Sequence, residues 1–362
     1  MNKTLFGILI ILTFWACNDD VTKSLTPKPV ALGRLNDVVV ICDDKVWEGI
    51  IGDTFLYYYE SAYPVMPAPE PLFDIRHFSS ENLAVEPLRR ELRTYVILAN
   101  LSDLESPTTK MVRRDLGEER YKKALRDKTY YSSVGRDKWA REQILAYVFG
   151  NGLDDLARAI EKSFPAIANR IKKHDHIQLA SNVYNLKTED PEIKSVLENN
   201  FGLYLKVPGD YKKQIETDRN FVMLKRDFKD YSQSFVIRKF AYKDKKQLSK
   251  AGIVEMRNDY GFEFISGVSE GSYMRTNDDA LPVYEYTTEI NGIYTKELRG
   301  VWELTNDYIG GPFVTYLLLN KEKNELIFID TFVYAPSRGK RDLVQQLEHI
   351  IHSAKFTQSP SQ

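Results

Sequence analysis

The chain has 362 residues, of which 43% are hydrophobic and 28% charged, and its formal net charge is −1. That balance is ordinary for a globular protein and excludes the electrostatic footprint of a nucleic-acid binder. Its length allows one large or two average domains.

Residues 1–16 read as a lipoprotein signal peptide: Lys3 gives a short positive start, and Thr4 to Ala16 is uncharged and apolar. That stretch is shorter than the roughly 20 residues needed to span a bilayer, so cleavage before Cys17 is expected. Ala16 supplies the small residue before the lipidation site, although Phe14 and Trp15 are bulkier than the usual residues there. Acylated Cys17 would hold the protein on a membrane, which makes the membrane its first partner. Asn18, Asp19 and Asp20 follow directly and fit attachment to the outer membrane, facing the periplasm or the cell surface. Residues 17–30, with Pro27 and Pro29, read as a tether. Once Cys17 carries lipid, only Cys42 remains, so no intramolecular disulfide is available and Cys42 reads as a small buried residue.

An apolar run at 35–42 predicts a strand, and Asp43-Asp44 then caps a helix bearing Val46, Trp47, Ile50, Ile51 and Phe55. Four prolines between 64 and 71 predict a rigid loop, followed by strands at 72–78 and 93–101. A highly charged helix is expected over 108–128. A strand at 143–149 turns at Gly150-Asn151-Gly152 into an amphipathic helix that Pro165 must kink or restart. Residues 177–200 read as a helical connector, which sets a boundary near residue 200.

Beyond that point strand pairs dominate: 201–207, 220–226 and 234–242, then a helix near 245–257. Asn291-Gly292 between 282–290 and 293–304 is the strongest hairpin signal, since both residues accept the positive φ of a type I′ turn. A second hairpin joins 313–319 to 325–334, and a helix with Leu343, Val344, Leu347, Ile350 and Ile351 on one face closes the chain. The expected class is α+β, with two-layer antiparallel sheets, helices packed on one face and two similar halves, 31–200 and 201–356, before a disordered tail at 357–362.

The segment running from Arg299-Gly300-Val301-Trp302 through Asn306-Asp307-Tyr308-Ile309-Gly310-Gly311-Pro312-Phe313 is distinctive. Together with Leu32-Gly33-Arg34, Asp43-Asp44-Lys45-Val46-Trp47, Pro69-Glu70-Pro71-Leu72-Phe73-Asp74 and Phe332-Val333-Tyr334-Ala335-Pro336, it resembles the Bacteroidota lipoprotein family of domain of unknown function 4837. The resemblance runs over roughly residues 30–355 and implies an envelope lipoprotein; it implies no reaction, ligand or catalytic residue.

Several residue groups could carry chemistry. Glu303 and Asp307 could act as acid and base on a glycan, with Trp302 as a stacking platform and Arg299 orienting substrate; Asn306, Gly310 and Gly311 complete that candidate surface. If Trp302 instead faces the core, Arg299 and Glu303 share the other face and pair across strands, and Gly310-Gly311 forms a bulge or tight turn. Ser337, Arg338, Lys340 and Arg341 precede the last helix and could receive an anion. Gly267-Val268-Ser269-Glu270-Gly271 has the G-x-S-x-G pattern, but no helix follows the serine, so it reads as a turn. His349 and His352, or His174 and His176, have no third ligand in view, so neither a metal nor a cofactor is expected. The preferred function is a non-enzymatic binding or assembly module for an envelope protein or glycan. The alternatives are an envelope glycan or peptidoglycan hydrolase and a small-ligand or lipid carrier.

Overall fold

The computed structural model describes residues 27–185, 188–217 and 220–357; the signal peptide, Cys17, most of the tether and residues 358–362 lie outside that range. The chain forms two compact units. One comprises the described part of Met1–Tyr58 with Ile75–Ile167, the other Tyr59–Asp74 with the described part of Ala168–Gln362. The changeover falls at 167/168, inside a helix, rather than near residue 200.

In the first unit the chain forms β1 (Asp37–Ile41), α1 (Asp44–Trp47), α2 (Ile50–Tyr59), β2 (Asp74–Phe78), α3 (Ser80–Val85), β3 (Thr94–Asn100), α4 (Pro107–Leu116), α5 (Glu118–Arg126), β4 (Ser132–Arg136), β5 (Ile144–Gly150) and the start of α6 (Leu153–Tyr184), which continues into the second unit from Ala168. The strand order is β2-β1-β3-β5-β4. The α+β class holds, but this sheet is mixed: β1, β3 and β5 run parallel, and β4 is antiparallel to β5. Strands β1, β3 and β5 are buried almost throughout, as parallel strands covered on both faces must be. The core joins Val39, Ile97 and Phe149 to Val112 and Leu116 of α4.

Two helical expectations change here. The charged helix over 108–128 is two helices meeting at Gly117. The first is capped by Ser106, whose hydroxyl accepts from the Thr109 amide at 3.0 Å. Helix α6 runs unbroken through Pro165. The hydrogen bond that proline removes is offset by the buried stripe Ile160, Ile167 and Ile171.

The second unit holds α7 (Pro191–Phe201), β6 (Leu203–Tyr204), β7 (Lys212–Thr217), β8 (Phe221–Asp227), β9 (Ser232–Ala241), α8 (Lys250–Phe264), β10 (Met274–Thr276), β11 (Tyr284–Ile290), β12 (Ile293–Leu304), β13 (Gly310–Asn320), β14 (Glu325–Tyr334), α9 (Arg341–Ile351) and β15 (Lys355–Phe356). Its large sheet has the order β10-β12-β13-β14-β9-β8-β7, with β11 also on β12, and its neighbouring strands run antiparallel throughout. The Asn291-Gly292 turn has φ of 49° and 83°, as a type I′ hairpin requires, and sets Ile290 opposite Ile293.

Alternation along these strands makes two buried faces. Leu298, Trp302, Phe313, Leu317, Phe328 and Phe332 pack with Ile253, Met256 and Tyr260 of α8. Val314, Tyr316 and Leu318 fall on the opposite face, where α9 lies against β13 and β14. The second covering layer comes from the closing helix, so this sheet has a helix on each face. Within the α8 layer, Arg257 and Asp330 form an ion pair that is 1% and 0% exposed. Arg257 Nε lies 3.2 Å from Asp330 Oδ2, Tyr260 and Thr315 donate their hydroxyls to the carboxylate, and the guanidinium lies over the Phe313 ring. Burial pushes the Asp330 carboxyl up despite that cation.

Candidate functional site

Trp302 is 5% exposed, meets Phe332 edge-on with centroids 5.4 Å apart, and donates Nε1 to the Val333 carbonyl at 3.2 Å. A ring committed in this way to the core has no free face for a sugar. Gly310 and Gly311 open β13 opposite Glu303 and Trp302. Neither has positive φ, so the expected bulge or turn is a regular strand instead. Their requirement is space: a Cβ would lie 2.5 Å from the Trp302 carbonyl oxygen at Gly310 and 2.0 Å from that of Val333 at Gly311.

Glu303 and Asp307 serve separate structural contacts. Glu303 faces Arg275 across β10 and β12, accepting its Nε at 2.8 Å and lying 2.7 Å from its Nη2, and also accepts from Asn277. Asp307 accepts the hydroxyls of Ser269 at 2.6 Å and Ser272 at 2.7 Å and the Val268 amide at 3.1 Å. These hydrogen bonds, led by Ser269, hold its carboxyl below the ordinary range. Asn306, exposed and with φ of 62°, makes the adjoining turn. The G-x-S-x-G segment is thus a loop pinned by Asp307, and Ser269 gives its proton to a carboxylate rather than to a histidine base.

Arg299 and Glu303 do share a face, but they do not pair with each other. Arg299 donates Nε to Glu297 at 2.6 Å and pairs with Glu348 of α9, which also accepts from Tyr63 at 3.1 Å. Burial opposes the Arg299 charge, but Glu348, followed by Tyr63, Tyr316 and Glu297, outweighs it and moves the guanidinium pKa up. The anion expected at the last helix is supplied by the chain itself. Glu70 accepts the Lys340 amide at 2.7 Å and the Arg341 amide at 2.9 Å. Arg341 is buried, donating to the Pro71 carbonyl and pairing with Asp74, each at 2.7 Å. Arg338 lies over the Tyr231 ring near Asp230, and Ser337 is exposed.

His349 is half-buried rather than facing water, its ring centroid 4.4 Å from that of His176 and 5.6 Å from that of Tyr184. Among the described residues no group of three or more His, Cys, Asp or Glu could hold a metal ion. Cys42 is fully buried, and burial, reinforced by Asp43, pushes its thiol up to about 12, so it is unreactive.

In the second unit two shallow grooves run along the outer face of α8. One groove of about 680 Å³ is lined by Glu255, Asp259 and Asp278, and an adjoining one of about 610 Å³ by Asp259, Phe262, Glu263 and Arg275. Glu255, Asp259 and Glu263 recur every fourth residue and therefore share one helical face. All are exposed, and none has a recorded ion pair among the described residues, whereas Arg275 is taken by Glu303. Phe262 is 71% exposed beside them. The acidic period of four is visible in the sequence; what hides it is that its cationic neighbour is claimed by a strand partner 28 residues away.

Fold and site together define a two-unit α+β protein whose second unit carries an open acidic groove. By sequence, residues 190–353 match the family model of DUF4837, a domain of unknown function, and residues 31–184 match that of DUF8532, another domain of unknown function. The resemblance to DUF4837 is thereby confined to the second half. The motifs at Leu32-Gly33-Arg34, at Asp43 to Trp47 and at Pro69 to Asp74 fall within the stretch that matches the other family. No curated protein matches the chain.

Among solved structures, LpqN, involved in cell envelope biogenesis of Mycobacterium tuberculosis, aligns at 12% identity over 43% of this chain and 83% of its own, with a TM-score of 0.28. A point mutant of protein Mog1 aligns at 9% identity over 44% and 92%, TM-score 0.29. A protein of unknown function from Pseudomonas aeruginosa, PA94, described as a putative regulator, aligns at 14% identity over 44% and 97%, TM-score 0.23. Likeness of this degree assigns no function. Among the described residues no helix is long and apolar enough to cross a membrane.

Proposed function

We propose that this protein is a lipid-anchored, non-enzymatic binding module of the cell envelope, and that the groove along α8 receives a cationic segment of a partner protein. The observation that carries the reading is the division of labour among carboxylates. Glu303 and Asp307, the pair a hydrolase would need, are engaged in holding β10 and the neighbouring loops at 268–272 and 277. Glu255, Asp259, Glu263 and Asp278 line an open groove without ion pairs among the described residues. Unpaired carboxylates along a groove favour a partner of opposite charge and fix its register, with an exposed aromatic such as Phe262 adding contact area. Anchoring rests on the sequence at Cys17, whose replacement by alanine is expected to move a folded protein from the membrane to the soluble fraction.

The test is cross-linking in intact cells followed by purification through a C-terminal tag, with quantitative mass spectrometry. Three chains are compared: wild type, Glu255→Gln/Asp259→Asn/Glu263→Gln, and Glu303→Gln. A stoichiometric protein captured by wild type and Glu303→Gln and lost from the triple variant is the expected result. Equal capture by all three chains overturns the groove. Retention of a glycan that Glu303→Gln abolishes overturns the non-enzymatic reading.

A further inference from the structure

The first unit contains a cavity that the groove does not explain. It has a volume of about 200 Å³ and lies outside the carboxyl end of β5, between Arg126-Lys128 at the end of α5, Tyr130-Tyr131 before β4, and the first turns of α6. In open sheets with parallel strands, ligands bind in crevices outside the carboxyl ends of the strands. The volume is below the range of drug-sized pockets and suits one ring or a small polar group.

The charge on its walls is one-sided. Arg126, Lys128, Arg158 and Lys162 line it against Asp127 and Asp155. Both acids are engaged: Asp155 pairs with Arg158, and Asp127 accepts the Thr129 amide at 2.9 Å and hydroxyl at 2.6 Å. Arg126, Lys128 and Lys162 keep no recorded ion pair among the described residues, and all three are exposed. Other walls are aromatic: Tyr130 and Tyr131 are half-buried, and Tyr130 packs edge-on to the buried Phe149 with centroids 5.4 Å apart. Lys123 Nζ lies over one face of Tyr130, 4.8 Å from the ring centroid, and adds to the positive charge nearby. A cavity lined by uncompensated cations and by tyrosine rings suits an anionic group attached to something flat.

We propose that this cavity binds a phosphate-bearing ligand, the phosphate held by Arg126, Lys128 and Lys162 and the attached group lying against Tyr130 and Tyr131. A soluble phosphate ester and an anionic lipid headgroup share that chemistry. The test uses the full chain at low salt, titrated calorimetrically with phenyl phosphate and, separately, assayed by co-sedimentation with phosphatidylcholine vesicles with and without phosphatidic acid. Wild type is compared with Arg126→Gln/Lys162→Gln and with the charge-conserving Lys162→Arg, all checked for equal melting temperature.

Saturable binding of phenyl phosphate that weakens at least tenfold in the double variant and is kept by Lys162→Arg supports the site and a soluble ligand. Vesicle binding that needs phosphatidic acid and the same two cations, without phenyl phosphate binding, supports the site and a lipid source. Absence of both, or binding unchanged in the double variant, overturns the proposal. None of these outcomes depends on the α8 groove, so the two readings stand or fall separately.

Discussion

His349 gives one side chain a measurable consequence. Burial, together with neighbouring His176, His352 and Lys206, holds its imidazole down to about 4. In the unfolded chain it titrates near 6.5, so between those values the unfolded state binds the proton and the folded state does not. The contribution of His349 is therefore complete above about pH 6.5 and is lost as the pH falls toward 4; for a half-buried ring it amounts to roughly 1–2 kcal/mol. Urea unfolding from pH 7.5 to 4.5 is expected to show wild type losing about that much more stability than His349→Gln. Parallel pH profiles would remove the histidine from the account. The sequence placed His349 off the apolar stripe of its helix but could not reveal His176 and Tyr184, which belong to a helix more than 160 residues earlier. Trp302 illustrates the same limit: alternation alone left open whether it or Arg299 faced the core, and the choice was set by Phe332 and the Val333 carbonyl on β14.

Hairpins and helices of the second unit were legible as elements because their signals are local: positive φ at Asn291-Gly292, a short polar connection at 321–324, an amphipathic stripe in α9. Strand direction in the first unit was not, since a fully buried run such as that of β3 reads alike in either orientation. The double glycine is the intermediate case. It was visible as a constraint, but a turn was the natural local explanation, and the actual reason is close approach of β14 and the Trp302 indole. Gly311→Ala is accordingly expected to cost about 2–3 kcal/mol through overpacking in the sheet centre, as measured by equilibrium denaturation. Gly271→Ala, where φ is 70° and a Cβ meets nothing within 4 Å, should cost about 1 kcal/mol through backbone strain alone. If the two variants are equally stable, space is not what Gly311 supplies.

Taken as a whole, the chain divides itself differently from the families it matches. The match that ends at residue 184 and the one that starts at residue 190 are continuous in sequence. The second compact unit is not: it takes in Tyr59–Asp74 and everything from Ala168. That early segment delivers Glu70 to the amides that open α9, and Pro71 and Asp74 to the Arg341 guanidinium. A carboxylate on free amides at a helix N-terminus acts as a cap, and its removal in Glu70→Ala should cost about 1–2 kcal/mol. Cutting the whole segment away does more, because Arg341, 7% exposed in its side chain, would lose Asp74, its only ion-pair partner among the described residues besides the adjacent Asp342. A fragment of residues 190–353 is therefore expected to exchange the amides of α9 far faster than the intact chain does, read by hydrogen exchange and mass spectrometry. It should also melt well below the intact protein. Protection of α9 as in the full chain, with melting within about 2 °C of it, would mean that the second half folds without the proline-rich segment. The contacts of Glu70 would then be an attachment to a finished unit instead of part of its construction.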